Sequence, residues 1–249
     1  MKKRAWMTTL AAALAVLLAA CGALCGAVYS AAVDETLYGD QSRAAVAQTL
    51  GNAQDAAVTA YIGLDAQEQR EAAREIALYM ADEDAGEALD LPILNEREKA
   101  HMADVRGIMR TCEGARTVCM SLSAALAVIC AWTGAGAPRR HRYVWTGALA
   151  GAGLLAALGM ALALAMRSAG FGALFVRMHE WIFSNDLWLL NPDTDILIRM
   201  MPQLLFEWAL ADVLKRAAGV FALALALLAA VYAVVSGMID RHVTEGKQA

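Results

Sequence analysis

Charged residues are scarce in this chain, and four long apolar stretches contain none at all. Of the 249 residues only 18% are charged, whereas 59% are hydrophobic. A soluble domain carries about 25% charged residues, so the composition argues against a soluble protein. The charges that are present sum to −4, which gives no support to a nucleic-acid partner.

Each uncharged stretch has about 20 residues, which is enough to cross a hydrocarbon core of roughly 30 Å. The stretches cover approximately residues 6–28, 118–137, 143–166 and 219–238. We therefore predict an all-α, polytopic membrane protein, a single membrane domain of residues 1–249 with four transmembrane helices. The connections 34–117 and 167–216 are predicted to form an extracytoplasmic helical cap.

Basic residues mark one side of these spans. They precede the first span, connect the second to the third and follow the fourth: Lys2, Lys3, Arg4, Arg139, Arg140, Arg142, Arg241 and Lys247. Because positive residues favour the cytoplasmic side, both termini are predicted to be cytoplasmic. The connection from Asp34 to Thr117 has 17 acidic against 8 basic residues and is predicted to lie outside.

The N-terminus has two interpretations. A basic start and an apolar run lead to Leu18-Ala19-Ala20-Cys21, which is typical of a bacterial lipoprotein signal peptide that is cleaved before the cysteine. However, the apolar run continues over residues 22–33, where a processed lipoprotein would begin with a polar tether. We expect an uncleaved membrane anchor.

Signatures of metal sites and covalent catalysis are missing from the sequence. None of the five cysteines stands in a CxxC or Cys/His ligand spacing, so neither a zinc cluster nor a disulfide framework is indicated. There is no Gly-x-Ser-x-Gly elbow and no phosphate-cradling glycine loop, so nucleophilic serine or cysteine catalysis is unsupported. We expect no metal and no cofactor.

Two histidines in the outer connections are the candidate catalytic groups. Asp104 follows His101 by one helical turn, and Glu180 and Asp186 lie near His179. Two imidazoles can divide acid and base work near neutral pH. The alternative is that both are ordinary interfacial residues, and that the surrounding rings form a membrane-interface belt (Phe175, Trp181, Phe183 and Trp188).

Local signals predict helices in both outer connections. Asn95 with Glu98 three residues later is a helix N-cap with its capping-box partner. Two interfacial helices are predicted in the second connection, with apolar stripes at Phe171, Phe175, Met178 and Ile182 and at Leu197, Met201, Leu204 and Trp208. Asp193 or Thr194 is expected to cap the second helix, and Pro202 to interrupt or kink it.

The pattern His179-x-x-x-Phe183-x-Asn185-Asp186-x-Trp188 resembles the bacterial lipoprotein intramolecular transacylase family, called Lit. Pro192, Asp195, Pro202 and Phe206 continue the resemblance, and the segment Glu98-x-x-His101-Met102-x-Asp104-Val105 is similar to the family as well.

The resemblance implies an enzyme of the bacterial cytoplasmic membrane whose substrates are diacylglyceryl lipoproteins among membrane lipids. Its reaction moves the sn-2 acyl chain to the lipoprotein's own N-terminal cysteine amine and gives the lyso-form. His101 and His179 match the catalytic pair. Substrate-binding residues are expected at Asp104, Phe175, Trp181, Phe183, Asn185, Asp186, Trp188 and Phe206.

A non-enzymatic membrane sensor or assembly factor with an acidic, partner-binding cap is the alternative function. The enzyme hypothesis predicts that His101 and His179 are indispensable. His141 and His242 lie among the cytoplasmic arginines, where solvated, dispensable residues are expected. Transport is weakly supported because no predicted span carries an ionisable residue.

Overall fold

The computed structural model describes residues 2–81, 89–134 and 138–245, and within these residues it consists of ten α-helices and no strand. Four helices are long and apolar enough to cross a membrane: Ala5–Ala32, Glu96–Thr133, His141–Ala169 and Gln203–Ile239. The prediction of an all-α protein with four membrane-spanning helices is therefore confirmed.

The helices, numbered along the chain, are α1 Lys2–Ala32, α2 Glu35–Tyr38, α3 Asp40–Thr49, α4 Asp55–Ile62, α5 Ala66–Ala81, α6 Glu96–Gly134, α7 Pro138–Ala169, α8 Phe171–Ile182, α9 Ile196–Met200 and α10 Gln203–Glu245. Helix α6 begins well before its apolar part, because residues 96–117 carry nine charged side chains. The last residues of the predicted span 118–137 lie outside the described part of the chain.

The chain divides into two compact units. The first comprises Met1–Gly26, Gly114–Leu164 and Lys215–Ala249, and the second comprises Ala27–Glu113 and Ala165–Leu214. The first unit contains most of the apolar helices. The second contains α2–α5, α8, α9 and the charged start of α6, and both His101 and His179 belong to it.

Glycines allow helices α1 and α7 of the first unit to approach closely. A Cβ atom on Gly147 would overlap the Thr9 carbonyl oxygen, and one on Gly151 would lie 2.9 Å from the Ala13 carbonyl oxygen. Small residues four positions apart are a recurring device in membrane helix pairs, where close van der Waals contact stabilises the association. On the α6 side of α1, Ser123 Oγ donates a 2.7 Å hydrogen bond to the Ala15 carbonyl.

The second unit contains a buried polar network beside its apolar core. Arg43 donates to the Asp55 carboxylate and, over 3.0 Å, to the side-chain oxygen of Gln69. The Gln69 amide donates to Ser42 Oγ over 2.7 Å, and Ser42 in turn donates to the carbonyl of Met200, the last residue of α9. A satisfied buried network of this kind specifies one arrangement of its helices, and here it fastens α9 to α3.

The predicted second interfacial helix is interrupted as expected, and the interruption divides its apolar stripe between two helices. Helix α9 ends at Met200 and α10 begins at Gln203, because Pro202 has no N–H to donate within a continuous helix. The break changes the helical register, so Leu197, Met200 and Leu205 are buried, whereas Met201 and Leu204 are only partly buried.

Replacing Gly147 with alanine is expected to destabilise the protein by about 1–3 kcal/mol, the usual cost of overpacking. Gly153 on the same helix is the matched control, because a Cβ there meets nothing within 4 Å. Thermal unfolding of the purified variants in detergent measures the difference. Equal midpoints for G147A and G153A would contradict the close α1–α7 contact.

Candidate active site

The second unit brings the two candidate histidines together from helices α6 and α8. The ring centroids of His101 and His179 are 6.4 Å apart, and each residue is only 8% exposed. Two imidazoles at this separation can act on different atoms of one small reacting group, which is the arrangement that divided acid and base work requires.

Aromatic rings enclose the histidine pair. The ring of Phe183 lies 5.3 Å from His101 and 5.5 Å from His179, so it packs against both imidazoles. Phe175 lies 4.1 Å and Trp188 5.0 Å from His179, measured between ring centroids. Phe206 of α10 extends this group through a 4.8 Å contact with Phe175. We call these four rings, Phe175, Phe183, Trp188 and Phe206, the aromatic cluster.

Trp181 lies outside the aromatic cluster, contrary to the expectation from sequence. It is 89% exposed. Positions four apart share a helix face, so Phe171, Phe175 and His179 align on one side of α8. Position 181 is two residues beyond His179, about 200° around the helix axis, and its indole therefore points away from the imidazole.

His179 is held in one tautomer by its own helix. Its Nδ1 lies 2.8 Å from the carbonyl oxygen of Phe175. Because a carbonyl only accepts hydrogen bonds, Nδ1 carries the hydrogen and the neutral ring has its free electron pair on Nε2. Burial lowers the pKa of His179, and the bond to Phe175 partly opposes this shift.

His101 is the more strongly perturbed ring, and it lies in the charged part of α6. Burial, reinforced by the neighbouring His179, lowers the pKa of His101 to about 4, while Asp104 opposes the shift. The Nδ1 atom of His101 is buried and has no hydrogen-bond partner among the residues that the structure describes. Since Nδ1 is inaccessible, a substrate can exchange a proton or hydrogen bond with His101 only at Nε2.

The predicted polar residues fasten the loop after α8 to helix α6. Asn185 donates a 2.8 Å hydrogen bond to Asp104, and its carbonyl accepts one of 3.1 Å from the Trp188 indole. Asp186 pairs with Arg97 at 3.5 Å, although its side chain is 76% exposed. These bonds hold Trp188 and Phe183 beside the histidines, whereas Asp186 itself faces solvent.

Glu98 is a buried residue of this region, which the sequence identified as a capping partner and as part of the Glu-x-x-His segment but not as a contact of α9. The capping box is present, because Asn95 Oδ1 accepts from the Glu98 backbone N–H at 3.0 Å and Glu98 Oε2 accepts from the Asn95 backbone N–H at 2.8 Å. The other oxygen, Oε1, accepts a 2.6 Å bond from the backbone N–H of Leu197 in α9. The Glu-x-x-His spacing is visible in the sequence, but the hydrogen bond to Leu197 joins residues 99 positions apart, so no local pattern could have predicted it.

The residue at the N-cap of the second interfacial helix also differs from the prediction. Asp195, and neither Asp193 nor Thr194, occupies the N-cap position of α9, and its side chain makes no capping bond there. Its carboxylate accepts instead from the backbone N–H of Asn191 at 2.7 Å and from Asn95 Nδ2 at 2.9 Å.

Of the two remaining histidines, His141 belongs to the first unit. His141 was expected to be solvated, but its Nδ1 is hydrogen-bonded to the Tyr232 hydroxyl within the first unit. The side chain of His242 lies outside the described part of the structure. Within residues 2–81, 89–134 and 138–245, no three His, Cys, Asp or Glu side chains are grouped so that they could hold a metal ion.

The family model described as lipoprotein intramolecular transacylase Lit matches residues 48–206, well over half of the chain. The chain belongs to the Lit family. It is a multi-pass membrane enzyme that acts on lipoproteins, and the alternative of a non-enzymatic sensor or assembly factor is wrong. No curated protein sequence matches it significantly.

Solved structures of Lit from Bacillus cereus share the fold. One, the membrane-integral transacylase, has a TM-score of 0.67 and 18% identity, with 100% of both chains covered. A variant with one histidine replaced by alanine gives 0.65 at 18% identity, covering 98% of this chain and 96% of that one. An arginine variant gives 0.60 at 18% identity, with 91% of each chain covered.

The buried His101 ring predicts that acidification destabilises the fold. An unfolded histidine titrates near 6.5, whereas the pKa of the folded residue is about 4, so the unfolded state binds more protons between these values. The contribution of neutral His101 to the free energy of unfolding is therefore fully present above about pH 6.5, and it is lost as the pH decreases toward 4. Replacing His101 with glutamine removes this contribution.

Thermal midpoints at pH 7 and pH 5 test the prediction. Wild type is expected to lose more stability between the two values than H101Q does, and all other titrating groups are common to both proteins. Equal losses would show that His101 is protonated as readily in the folded as in the unfolded chain.

Proposed function

We propose that this Lit enzyme moves the sn-2 acyl chain of a diacylglyceryl lipoprotein to that lipoprotein's own N-terminal cysteine amine, and that His101 and His179 perform the acid–base steps. The observation that carries the proposal is the pair of buried imidazoles, 6.4 Å apart, inside the aromatic cluster. The product is the lyso-form lipoprotein, with an N-acyl group and one chain left on the glyceryl moiety.

His179 is suited to the role of base. Its Nδ1–H is engaged by Phe175, which leaves the electron pair of Nε2 for the proton of the attacking amine. Because burial lowers its pKa below 6.5, the ring is mostly neutral at pH 7 and can accept a proton. The imidazolium that forms is correspondingly acidic and gives its proton up readily.

His101 is suited to donate a hydrogen bond to the glyceryl oxygen that leaves the acyl group. With Nδ1 buried and unpartnered, the tautomer that places its hydrogen on Nε2 avoids a buried donor without an acceptor. That Nε2–H can donate to the glyceryl oxygen as negative charge develops there. A pKa of about 4 keeps the ring neutral before the reaction, so His101 acts as a hydrogen-bond donor.

The reaction balances without a co-reactant. The amine nitrogen forms a bond to the sn-2 carbonyl carbon, and the bond between that carbon and the glyceryl oxygen breaks. The proton removed from the amine by His179 is returned to the glyceryl oxygen. No acyl-enzyme is needed, because both reacting groups belong to one molecule and confinement within the aromatic cluster raises their effective concentration.

We also propose that the second unit lies outside the bacterial cytoplasmic membrane and that both termini lie in the cytoplasm. The basic residues around Lys2, Arg142 and Arg241 support this orientation through the positive-inside rule. An outer site suits a substrate whose N-terminal cysteine is released at the outer face, where its lipid chains already lie in the bilayer.

The first experiment is mass spectrometry of the N-terminal lipopeptide of a reporter lipoprotein. In a host without other N-acylating enzymes, wild type is expected to convert S-diacylglyceryl peptide to N-acyl-S-monoacylglyceryl peptide. H101A and H179A are each expected to lower the rate by about 10²-fold or more, because each removes one acid–base or hydrogen-bonding group.

His141→Gln is the control for this experiment, because His141 lies in the first unit and pairs with Tyr232. It is expected to keep the activity of wild type when expression is matched. A well-expressed wild type that leaves the diacyl form untouched would refute the proposed reaction. Active H101A or H179A would refute the two-histidine mechanism alone.

Phe183→Ala and Trp181→Ala form a matched pair that tests the aromatic cluster. Phe183 contacts both imidazoles, whereas Trp181 is 89% exposed. F183A is expected to slow acyl transfer about tenfold or more, since loosened geometry is costly for a proximity-driven reaction. W181A should stay within about twofold of wild type in the same assay. If W181A slowed acyl transfer more than F183A, the substrate would have to lie on the outer face of α8.

A further inference from the structure

We infer that Glu98 is a positioning residue, which sets the separation of the two catalytic histidines by joining the starts of helices α6 and α9. This role rests on the proposed function, since it matters to the reaction only if His101 and His179 perform it. The contacts of one carboxylate, its burial and its place in the chain support the inference.

The Glu98 carboxylate bridges two segments that are distant in sequence. Oε2 accepts from the backbone N–H of Asn95, and Oε1 accepts from the backbone N–H of Leu197, at 2.8 and 2.6 Å. Glu98 is 1% exposed, so water cannot replace either bond. A second bond runs parallel to this bridge, from Asn95 Nδ2 to the carboxylate of Asp195 over 2.9 Å. We call this pair of connections the carboxylate bridge.

The chemistry of the bridge calls for a carboxylate. Both partners are N–H donors at helix N-termini, where backbone donors lack partners within the helix and negative charge is favoured. Glutamate offers two acceptor oxygens, one for each donor. A glutamine of the same shape has one acceptor oxygen, and its NH2 group would have to face one of the two N–H donors.

The bridge is connected to both imidazoles. His101 follows Glu98 on the same face of α6 after three residues, so tilting the start of α6 moves its ring. Leu197 and Asp195 close the loop that brings Phe183 and Trp188 against His179, and Asn185 in that loop is bonded to Asp104. Loss of one bond at Glu98 therefore changes the distance between the imidazoles without removing either ring.

Glu98→Gln is the direct test. We expect the rate of acyl transfer at saturating reporter lipoprotein to fall about tenfold or more, with KM changed less than twofold, because misplaced catalytic groups slow the chemical step. The neighbouring His179 helps to lower the pKa of His101, so the limb of the pH–rate profile that reports His101 is expected to move upward as the imidazoles separate. A loss of folded protein alone would leave that limb in place.

Two controls separate positioning from general destabilisation. Glu96→Gln changes a carboxylate on the same helix that is 92% exposed and that, among the residues the structure describes, pairs with Lys99 at the surface, and it should behave as wild type. G147A provides a variant that is destabilised in the first unit, with an intact carboxylate bridge. It should keep its KM, kcat per folded molecule and pH profile.

Asn95→Ser provides a second route if E98Q folds poorly. Serine is also a good N-cap residue, so α6 keeps its start while the bond to Asp195 is lost. We expect a smaller change of the same kind. Wild-type rates and pH profiles in both E98Q and N95S would overturn the positioning role and leave the proposed function standing, whereas an inactive wild type would overturn both.

Discussion

The burial of two imidazole rings against aromatic side chains disfavours positive charge on either ring, and the chemistry of the site depends on this constraint. Neutral His179 has a free electron pair on Nε2 because the Phe175 carbonyl occupies its other nitrogen. Neutral His101 has one accessible nitrogen because Nδ1 is buried. A charged pair at 6.4 Å would repel and would be solvated poorly, so the apolar surroundings and the pairing support each other.

Different forces stabilise the two units of the chain. In the first unit, glycines such as Gly147 and Gly151 allow α1 and α7 to approach, which suits helices whose surroundings are as apolar as their own side chains. In the second unit, an apolar core is combined with buried polar links at Arg43, Gln69 and Glu98. Buried hydrogen bonds are directional, so they hold a catalytic geometry more closely than apolar packing alone.

Much of this architecture was predictable from local sequence signals. Four uncharged stretches were sufficient to predict four spanning helices, because hydropathy alone selects segments of about 20 residues. Asn95 and Glu98 formed the expected capping box, since its bonds connect residues three apart. The pairing of His101 with His179 depended on the family resemblance, because no spacing rule relates residues on different helices.

Other features required tertiary information. Trp181 was expected in the site on its aromatic character, and only the orientation of α8 shows that it faces outward. The contact of Glu98 with Leu197 and that of His141 with Tyr232 join residues far apart in the chain. Composition and periodicity carry no information about such partners, which explains why both were missed.

The order in which the chain is synthesised gives the aromatic cluster a further consequence. His101 emerges from the ribosome long before His179, and the cluster is complete only when Phe206 has followed. Until then Leu91, Leu94 and Met102 lack Leu197, which shares their apolar core. A nascent chain that stops after its third span therefore contains His101 but lacks His179, Leu197 and the aromatic cluster, so it has neither the catalytic pair nor the complete apolar core.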